Sequence, residues 1–263
     1  MLEALIWDVD GTLAETERDG HRIAYNQAFA DEGLDWHWDE ATYGRLLSTA
    51  GGKERLARWW AERDPGAAVR PSTARAIAHL YALKTAHYVA TVDRGTIGLR
   101  PGVHRLLVEA RAAGLQLAIA TTTSPRNVDA LLKATLGEAA PGWFAVIGAG
   151  DAVPAKKPAP DIYHQVRTAL GLRAGQCLAL EDSAIGAQAA VAAGLAVLVT
   201  RSHYTRDETL PPVLADLDGL GTPERPARGW VPGDDGARPW QGQVDLPSLR
   251  RWCAAWAGLP AVV

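Results

Sequence analysis

The chain has 263 residues, 48% of them apolar and 22% charged, with a formal net charge of −3. That length suits one large domain, or a medium domain carrying a smaller one, and that composition excludes a disordered chain. A slightly acidic balance leaves no global positive field for nucleic acid or an anionic membrane, so an anionic ligand must meet positive charge locally.

In chain order, the first element is an apolar strand that runs straight into carboxylates, "LIWDVDGTLAETE" (Leu5 to Glu17). Between Thr16 and about Gly98 no strand pattern appears. Helical spacing is read instead over 18–32, 40–47, 53–63 and 72–92. From Arg100 the pattern alternates. "GVHRLLVEARAAG" reads as a helix, "LQLAIATT" as a strand, and a helix follows Pro125. "WFAVIGAG" is a strand, "PDIYHQVRTALGL" a helix, "CLALED" a strand, "SAIGAQAAVAAG" a helix and "LAVLVT" a strand. Strands alternating with helices of this length predict βαβ units and a parallel sheet covered on both faces. The fold expected is therefore α/β: a Rossmann-like, doubly wound parallel sheet with a helical cap inserted after the first strand. Residues 1–15 and 96–220 form the core, 16–95 the cap and 221–263 a tail. The stretch 219–242, rich in Pro, Gly and Asp, reads as an extended connector, with a short helix over 246–256.

Two cysteines, Cys177 and Cys253, lie far apart and outside any C-x-x-C pair, so neither a disulfide framework nor a zinc site is expected. Both read as reduced, buried thiols. The opening "MLEALIWDVDG" has no basic segment before a long apolar run, so no signal peptide is expected and the location expected is cytoplasmic. No apolar run is long enough to cross a membrane. A monomer without nucleic-acid or membrane partners is the expectation.

Four signals fall at the carboxyl ends of four predicted strands, the edge where open parallel sheets bind ligands. They are Asp8-Val9-Asp10-Gly11-Thr12, Thr121-Thr122-Thr123-Ser124, Lys156-Lys157-Pro158 and Glu181-Asp182-Ser183. Each alone has a commoner reading as a turn, a helix cap or a solvated loop. Together, and in order, they compose phosphoryl-transfer chemistry. Residues two apart on a strand share a side, so Asp8 and Asp10 are expected to oppose each other's charge. A cation between them lets both remain ionised. Asp8, Asp10, Glu181 and Asp182 make an oxygen-rich site suited to Mg2+, a hard cation. Hydroxyl and N–H groups of Thr121 to Ser124 would hold phosphate oxygens at a helix N-terminus. A lysine, Lys156 or Lys157, would offset the negative charge of nucleophile and phosphate.

The D-x-D-G-T start, the strand-end Thr, the Lys-Pro step and the Glu-Asp pair resemble the haloacid dehalogenase superfamily of phosphohydrolases. The helical insert resembles its capped subclass, which includes β-phosphoglucomutase and phosphoglycolate phosphatase. The likeness covers Met1 to about Gly219. Within that group, "AETERDGHR" (14–22) and "TAGGKERLARW" (49–59) are similar to CbbY-type proteins of the Calvin cycle. The resemblance implies a sugar-bisphosphate phosphatase, with xylulose 1,5-bisphosphate as substrate.

It also implies roles. Asp8 becomes an aspartyl phosphate, and Asp10 serves as general acid and then base. Thr121 joins them in the catalytic set, with Lys157 favoured over Lys156 by the Lys-Pro step. Asp8, the Asp10 backbone carbonyl and Asp182 hold Mg2+, with Glu181 binding it directly or through water. Thr122, Thr123 and Ser124 bind phosphate. In the insert, Gly51, Gly52, Lys53 and Arg55 offer a second anion site, and Glu17 and His21 offer hydrogen bonds to sugar hydroxyls. Lys53 and Arg55 also suit a solvated first helical turn, and His21 a structural role. Trp36, Trp38, Trp59 and Trp60 are expected to pack the cap or its hinge, and Trp230, Trp240, Trp252 and Trp256 to anchor the tail.

Two alternatives remain at this stage. A phosphosugar mutase would use the same phosphoenzyme and return the phosphate to the sugar. A receiver-like phospho-acceptor module also gathers acids, a Thr and a Lys around Mg2+. It does not account for the helical insert.

Overall fold

The structure, a computed structural model, describes residues 1–67, 70–233 and 236–257. Among the described residues eight strands form one sheet. The first six in sequence are β1 (Ala4–Trp7), β2 (Gln116–Ala120), β3 (Phe144–Gly148), β4 (Cys177–Glu181), β5 (Ala196–Thr200) and β6 (Ala215–Leu217), and they pair in parallel. The last two, β7 (Ala227–Gly233) and β8 (Gly236–Gly242), pair antiparallel, and the order across the sheet is β3-β2-β1-β4-β5-β6-β7-β8.

Alternate residues of the central strands feed two apolar layers, because successive side chains point to opposite faces. Leu5, Trp7, Leu117, Ile119, Leu178 and Leu180 face one layer. It is closed by α5 (Val103–Ala112), α6 (Pro125–Leu136) and α9 (Leu246–Ala257). Ala4, Ile6, Ala118, Ala120, Cys177 and Ala179 face the other, closed by α7 (Asp161–Leu170) and α8 (Ala184–Ala192). Eight of the seventeen buried residues of this second layer are alanines, four of them on or just after α8.

The segment between β1 and β2 holds α1 (Arg22–Asp31), α2 (Glu40–Leu46), α3 (Gly52–Arg63) and α4 (Pro71–Asp93), preceded by a π-helical turn over Glu17–His21. An aromatic cluster of Tyr25, Phe29, Trp38, Tyr43 and Trp59 fills it, with Trp36 and Trp60 packed against that cluster. The far end of α4 joins the sheet's first layer through Tyr88 and Val92. The two chain crossings are tied together: Arg100 N–H donates to the Leu13 carbonyl at 2.8 Å, and Ala14 bridges Leu99.

The stretch expected to be an extended connector instead supplies β7 and β8. Close backbone approach explains two of its glycines, Gly221 and Gly229. A Cβ on Gly229 would lie 2.0 Å from the Asp216 carbonyl oxygen. Pro232 lies past the end of the three-residue β6, and Pro239 lies on the outer strand, so neither position needs an N–H on its free side. Leu246, Leu249 and Trp252 of α9 then dock on the first layer, and Trp240 meets Trp252 edge to face at 5.1 Å. Trp256 packs there too, but Trp230 is 52% exposed and anchors nothing. Cys177 is buried and Cys253 partly so, both free. Among the described residues no helix is long and apolar enough to cross a membrane.

Candidate active site

β1 ends at Trp7, and Asp8 follows with its N–H still bound to the Leu180 carbonyl at 2.9 Å. The chain then turns through Gly11, whose φ of +89° suits glycine. That turn alters the expected opposition of Asp8 and Asp10. Both line one cavity, but the Asp10 carboxylate points to the base of the helical insert. There Thr16 Oγ1 donates to Asp10 Oδ1 at 2.6 Å, and His21 Nε2 meets the same oxygen at 2.9 Å.

Asp8 is joined by groups from β2, β3 and β4. Lys157 Nζ donates to Asp8 Oδ1 at 2.7 Å, to Glu181 Oε1 at 2.6 Å and to the Ala120 carbonyl at 2.8 Å. Tyr163 OH also donates to Glu181 Oε1. Asp8, Glu181 and Asp182 are all buried, and one oxygen from each lies within 4.8 Å of the others. Ligands across an octahedral Mg2+ stand about 4.2 Å apart, twice a bond of about 2.1 Å. One divalent cation therefore fits the donor set.

The electrostatics agree. Three buried carboxylates face a single lysine, an excess of negative charge. Burial pushes the Asp8 carboxyl up to about 8, against Lys157 and with help from Glu181 and Asp10. Burial, with Asp8 and Glu181, pushes Asp182 well above the usual carboxylate range. A cation here would reverse both shifts. Gly11 makes room for the cluster: a Cβ there would lie 2.1 Å from Asp182 Oδ2.

Asp10 behaves differently. Burial pushes it up, but His21 beside it and the hydrogen bonds from His21 and Thr16 outweigh burial and hold it below the usual carboxylate range. Behind His21 stands Lys84, with Nζ 2.9 Å from His21 Nδ1. An ammonium only donates and a carboxylate only accepts, so the ring between them carries its proton on Nε2. His21 also stacks on Tyr88 with centroids 4.1 Å apart.

The Thr/Ser run divides. Thr121 and Thr122 line the main cavity, and Thr122 and Thr123 line a small recess beside it. Ser124 lines neither, because its Oγ caps α6 by accepting from Asn127 N–H at 3.3 Å. From the helical insert, Glu17 and Arg55 reach the cavity. Arg55 Nη2 lies 3.5 Å from Glu17 Oε1, and Tyr43 OH bridges the pair. Gly51 and Gly52 line the recess with His21. Lys53 and Lys156 do not reach Asp8. They meet Asp151, at 2.8 Å and 2.9 Å.

Sequence reading passed over Thr16, Lys84, Tyr163 and Tyr43. One signal was available for Lys84. It lies four residues after Leu80 and four before Tyr88, so a cation sits on a buried stripe of α4.

Comparison with known proteins places this geometry. A family model for haloacid dehalogenase-like hydrolases matches residues 2–194. The plasmid-borne CbbY protein of Cupriavidus necator is 49% identical over 251 residues, spanning 95% of this chain and 96% of that protein. The tail is thus matched in a relative and does not lie outside the resemblance. The crystal structure of CbbY from Rhodobacter sphaeroides in complex with phosphate has 47% identity and a TM-score of 0.76, covering 83% of this chain and 95% of that one. A point mutant of CbbY from the same organism, in complex with xylulose 1,5-bisphosphate, has 46% identity and the same TM-score, covering 84% and 97%. The chain belongs to the haloacid dehalogenase-like hydrolase family, as a phosphoric monoester hydrolase akin to the CbbY proteins.

Proposed function

We propose that the protein removes a phosphate from a sugar bisphosphate, xylulose 1,5-bisphosphate, in a Mg2+-dependent reaction through an aspartyl phosphate on Asp8. One observation carries the chemistry: Lys157 bridges Asp8 and Glu181 beside Asp182, with Asp10 in the same cavity. The substrate rests on the half-identical relative that binds that bisphosphate.

Asp8, Asp182 and the Asp10 backbone carbonyl would hold Mg2+, with Glu181 directly or through water. The ion would supply positive charge that lets an anionic nucleophile meet an anionic phosphate. An Asp8 oxygen attacks phosphorus, the P–O bond to the sugar breaks, and the sugar oxygen takes a proton from Asp10. Both contacts to Asp10 fall on Oδ1, which leaves Oδ2 for that oxygen. An approaching phosphate raises the proton affinity of Asp10 and so readies it as the acid. Once deprotonated, Asp10 takes a proton from the water that attacks the aspartyl phosphate, and inorganic phosphate leaves. Lys157 keeps Asp8 oriented, and Thr121 and Thr122 hold phosphate oxygens with help from Thr123.

Residues 16–95 act as a cap that shields the reaction from water. Gly51, Gly52, Lys53 and Arg55 take the second phosphate, and Glu17 contacts sugar hydroxyls. His21 positions Asp10. The test is a phosphate-release screen over sugar mono- and bisphosphates, with and without Mg2+. Metal-dependent release, fastest from xylulose 1,5-bisphosphate, supports the reading. Stoichiometric isomerisation without release would overturn it.

A further inference from the structure

Two adjacent lysines follow β3, and they turn opposite ways. Lys157 reaches inward to Asp8. Lys156 reaches outward to the helical insert, where Nζ meets Glu54 of α3 at 2.8 Å and Asp151 at 2.9 Å. The other oxygen of Asp151 takes Lys53 Nζ, from the first turn of α3, at 2.8 Å. One carboxylate thus holds two ammonium groups, one from each side of the cleft. Hydrogen bonds from Lys53 and Lys156 hold that carboxyl at about 2, so it is fully ionised.

Two glycines open the surroundings, and Glu54 stands beside them as a second carboxylate. Gly51 precedes α3 with φ +91°, and a Cβ there would lie 2.9 Å from Lys156 Cδ. A Cβ on Gly52 would lie 2.5 Å from both Tyr25 OH and Tyr81 Cε2. The two glycines open onto the recess that also touches Asp10, Thr122 and Thr123. The recess therefore connects the nucleophile's cavity to the N-terminus of a twelve-residue helix flanked by two lysines.

We propose that Lys156 and Lys53 form a clamp for the second phosphate of the substrate, and that Asp151 is the counter-ion displaced when that phosphate arrives. The inference rests on the bisphosphate reading and adds to it one residue from the sheet side, Lys156, and one competing acid. The exchange is energetically accessible. The Asp151 side chain is 60% exposed and that of Lys53 42%, so that pair is screened by solvent and holds weakly, while the more buried Lys156 keeps Glu54 as a partner when Asp151 leaves. A phosphate monoester carries about −1.5 to −2 charge at neutral pH and offers more acceptor oxygens than one carboxylate. Because the lysines come from opposite sides of the cleft, the same phosphate draws the helical insert onto the sheet. A bisphosphate would then close its own active site, and a monophosphate would leave Asp151 in place.

The test compares kcat/KM for xylulose 1,5-bisphosphate with that for xylulose 5-phosphate, in the Mg2+-loaded wild type, Lys156→Met and Asp151→Asn. Lys156→Met is expected to lower the bisphosphate-to-monophosphate ratio about tenfold, chiefly through KM, as one charge-assisted hydrogen bond warrants. Asp151→Asn is expected to raise that ratio about two- to fivefold, the weight of one solvent-screened pair. A gain in selectivity cannot come from misfolding. An unchanged ratio in both variants overturns the clamp while the bisphosphate reading stands. Equal loss of kcat on both substrates in Asp151→Asn makes Asp151 a structural strut and likewise overturns it. A wild type that shows no preference for the bisphosphate overturns the clamp and the substrate assignment together.

Discussion

Replacing His21 by Ala isolates the contact on which Asp10 depends. The ring is buried, donates to Asp10 Oδ1 at 2.9 Å and accepts from Lys84 at 2.9 Å. Its removal leaves Thr16 as the remaining donor to Asp10 among the described residues. A hydrogen bond to a charged group contributes about 1.5–3 kcal/mol, so if the orientation of Asp10 limits the chemistry, kcat falls about 10- to 150-fold. KM should change little, because the lost contact orients a proton donor and holds no phosphate. Lys84 is stranded as well, left over the rings of Tyr25, Tyr81 and Tyr88 without its acceptor. A double-mutant cycle with Lys84→Met separates the effects. If Lys84 acts through His21, the double variant is no slower than His21→Ala alone. Steady-state phosphate release supplies the rates, and thermal melting checks the fold. A folded His21→Ala enzyme with kcat within about twofold of wild type would refute the orienting role.

Further predictions concern charge, the metal and the tail. Burial depresses Lys84 to about 8 from the usual lysine value of 10.5, against the pull of Glu17 and Asp10. Between those values the unfolded chain binds more protons than the folded one, so this residue's contribution to stability improves as pH rises from 8 to 10.5, by at most about 3 kcal/mol. Urea melts at both ends of that range should lose this slope in Lys84→Met. Gly11→Ala puts a Cβ 2.1 Å from Asp182 Oδ2 at a φ of +89°, and should raise the Mg2+ concentration for half-maximal activity roughly 10- to 100-fold, as read by metal titration. Trp252→Ala should cost about 3–5 kcal/mol in urea unfolding, because that side chain is 3% exposed and docks α9. A small loss would mean the tail is peripheral to folding.

Legibility followed burial. β1, β2, β4 and β5 lie inside a parallel sheet, so both faces are covered and their sequences run apolar without a break. The helices α5, α6 and α7 carry a clear 3.6-residue period, whereas α8 is apolar nearly all round. β7 and β8 hid behind their glycines and prolines. Glycine is needed where backbones nearly touch, as at Gly229, and proline is tolerated where one side of the strand has no neighbour, as at Pro232 and Pro239. The acids of the site were readable because they stand at or just past the carboxyl ends of strands. Where each carboxylate points was not, since that depends on β1 stopping at Trp7 and on the left-handed turn at Gly11. Partners remote in sequence were harder still. Lys84 lies 63 residues from His21, and the packing of α4 against α1 and the π-helical turn before it brings the two together.

The central claim is that Asp8 carries the phosphoryl group. Rapid quenching of the Mg2+-loaded enzyme during turnover of xylulose 1,5-bisphosphate, followed by mass analysis of the peptide containing Asp8, tests it most directly. The account predicts a transient phosphorylated peptide in the wild type. Asp8→Asn should give neither that species nor released phosphate, while keeping its fold. Substantial phosphate release by folded Asp8→Asn would contradict the account.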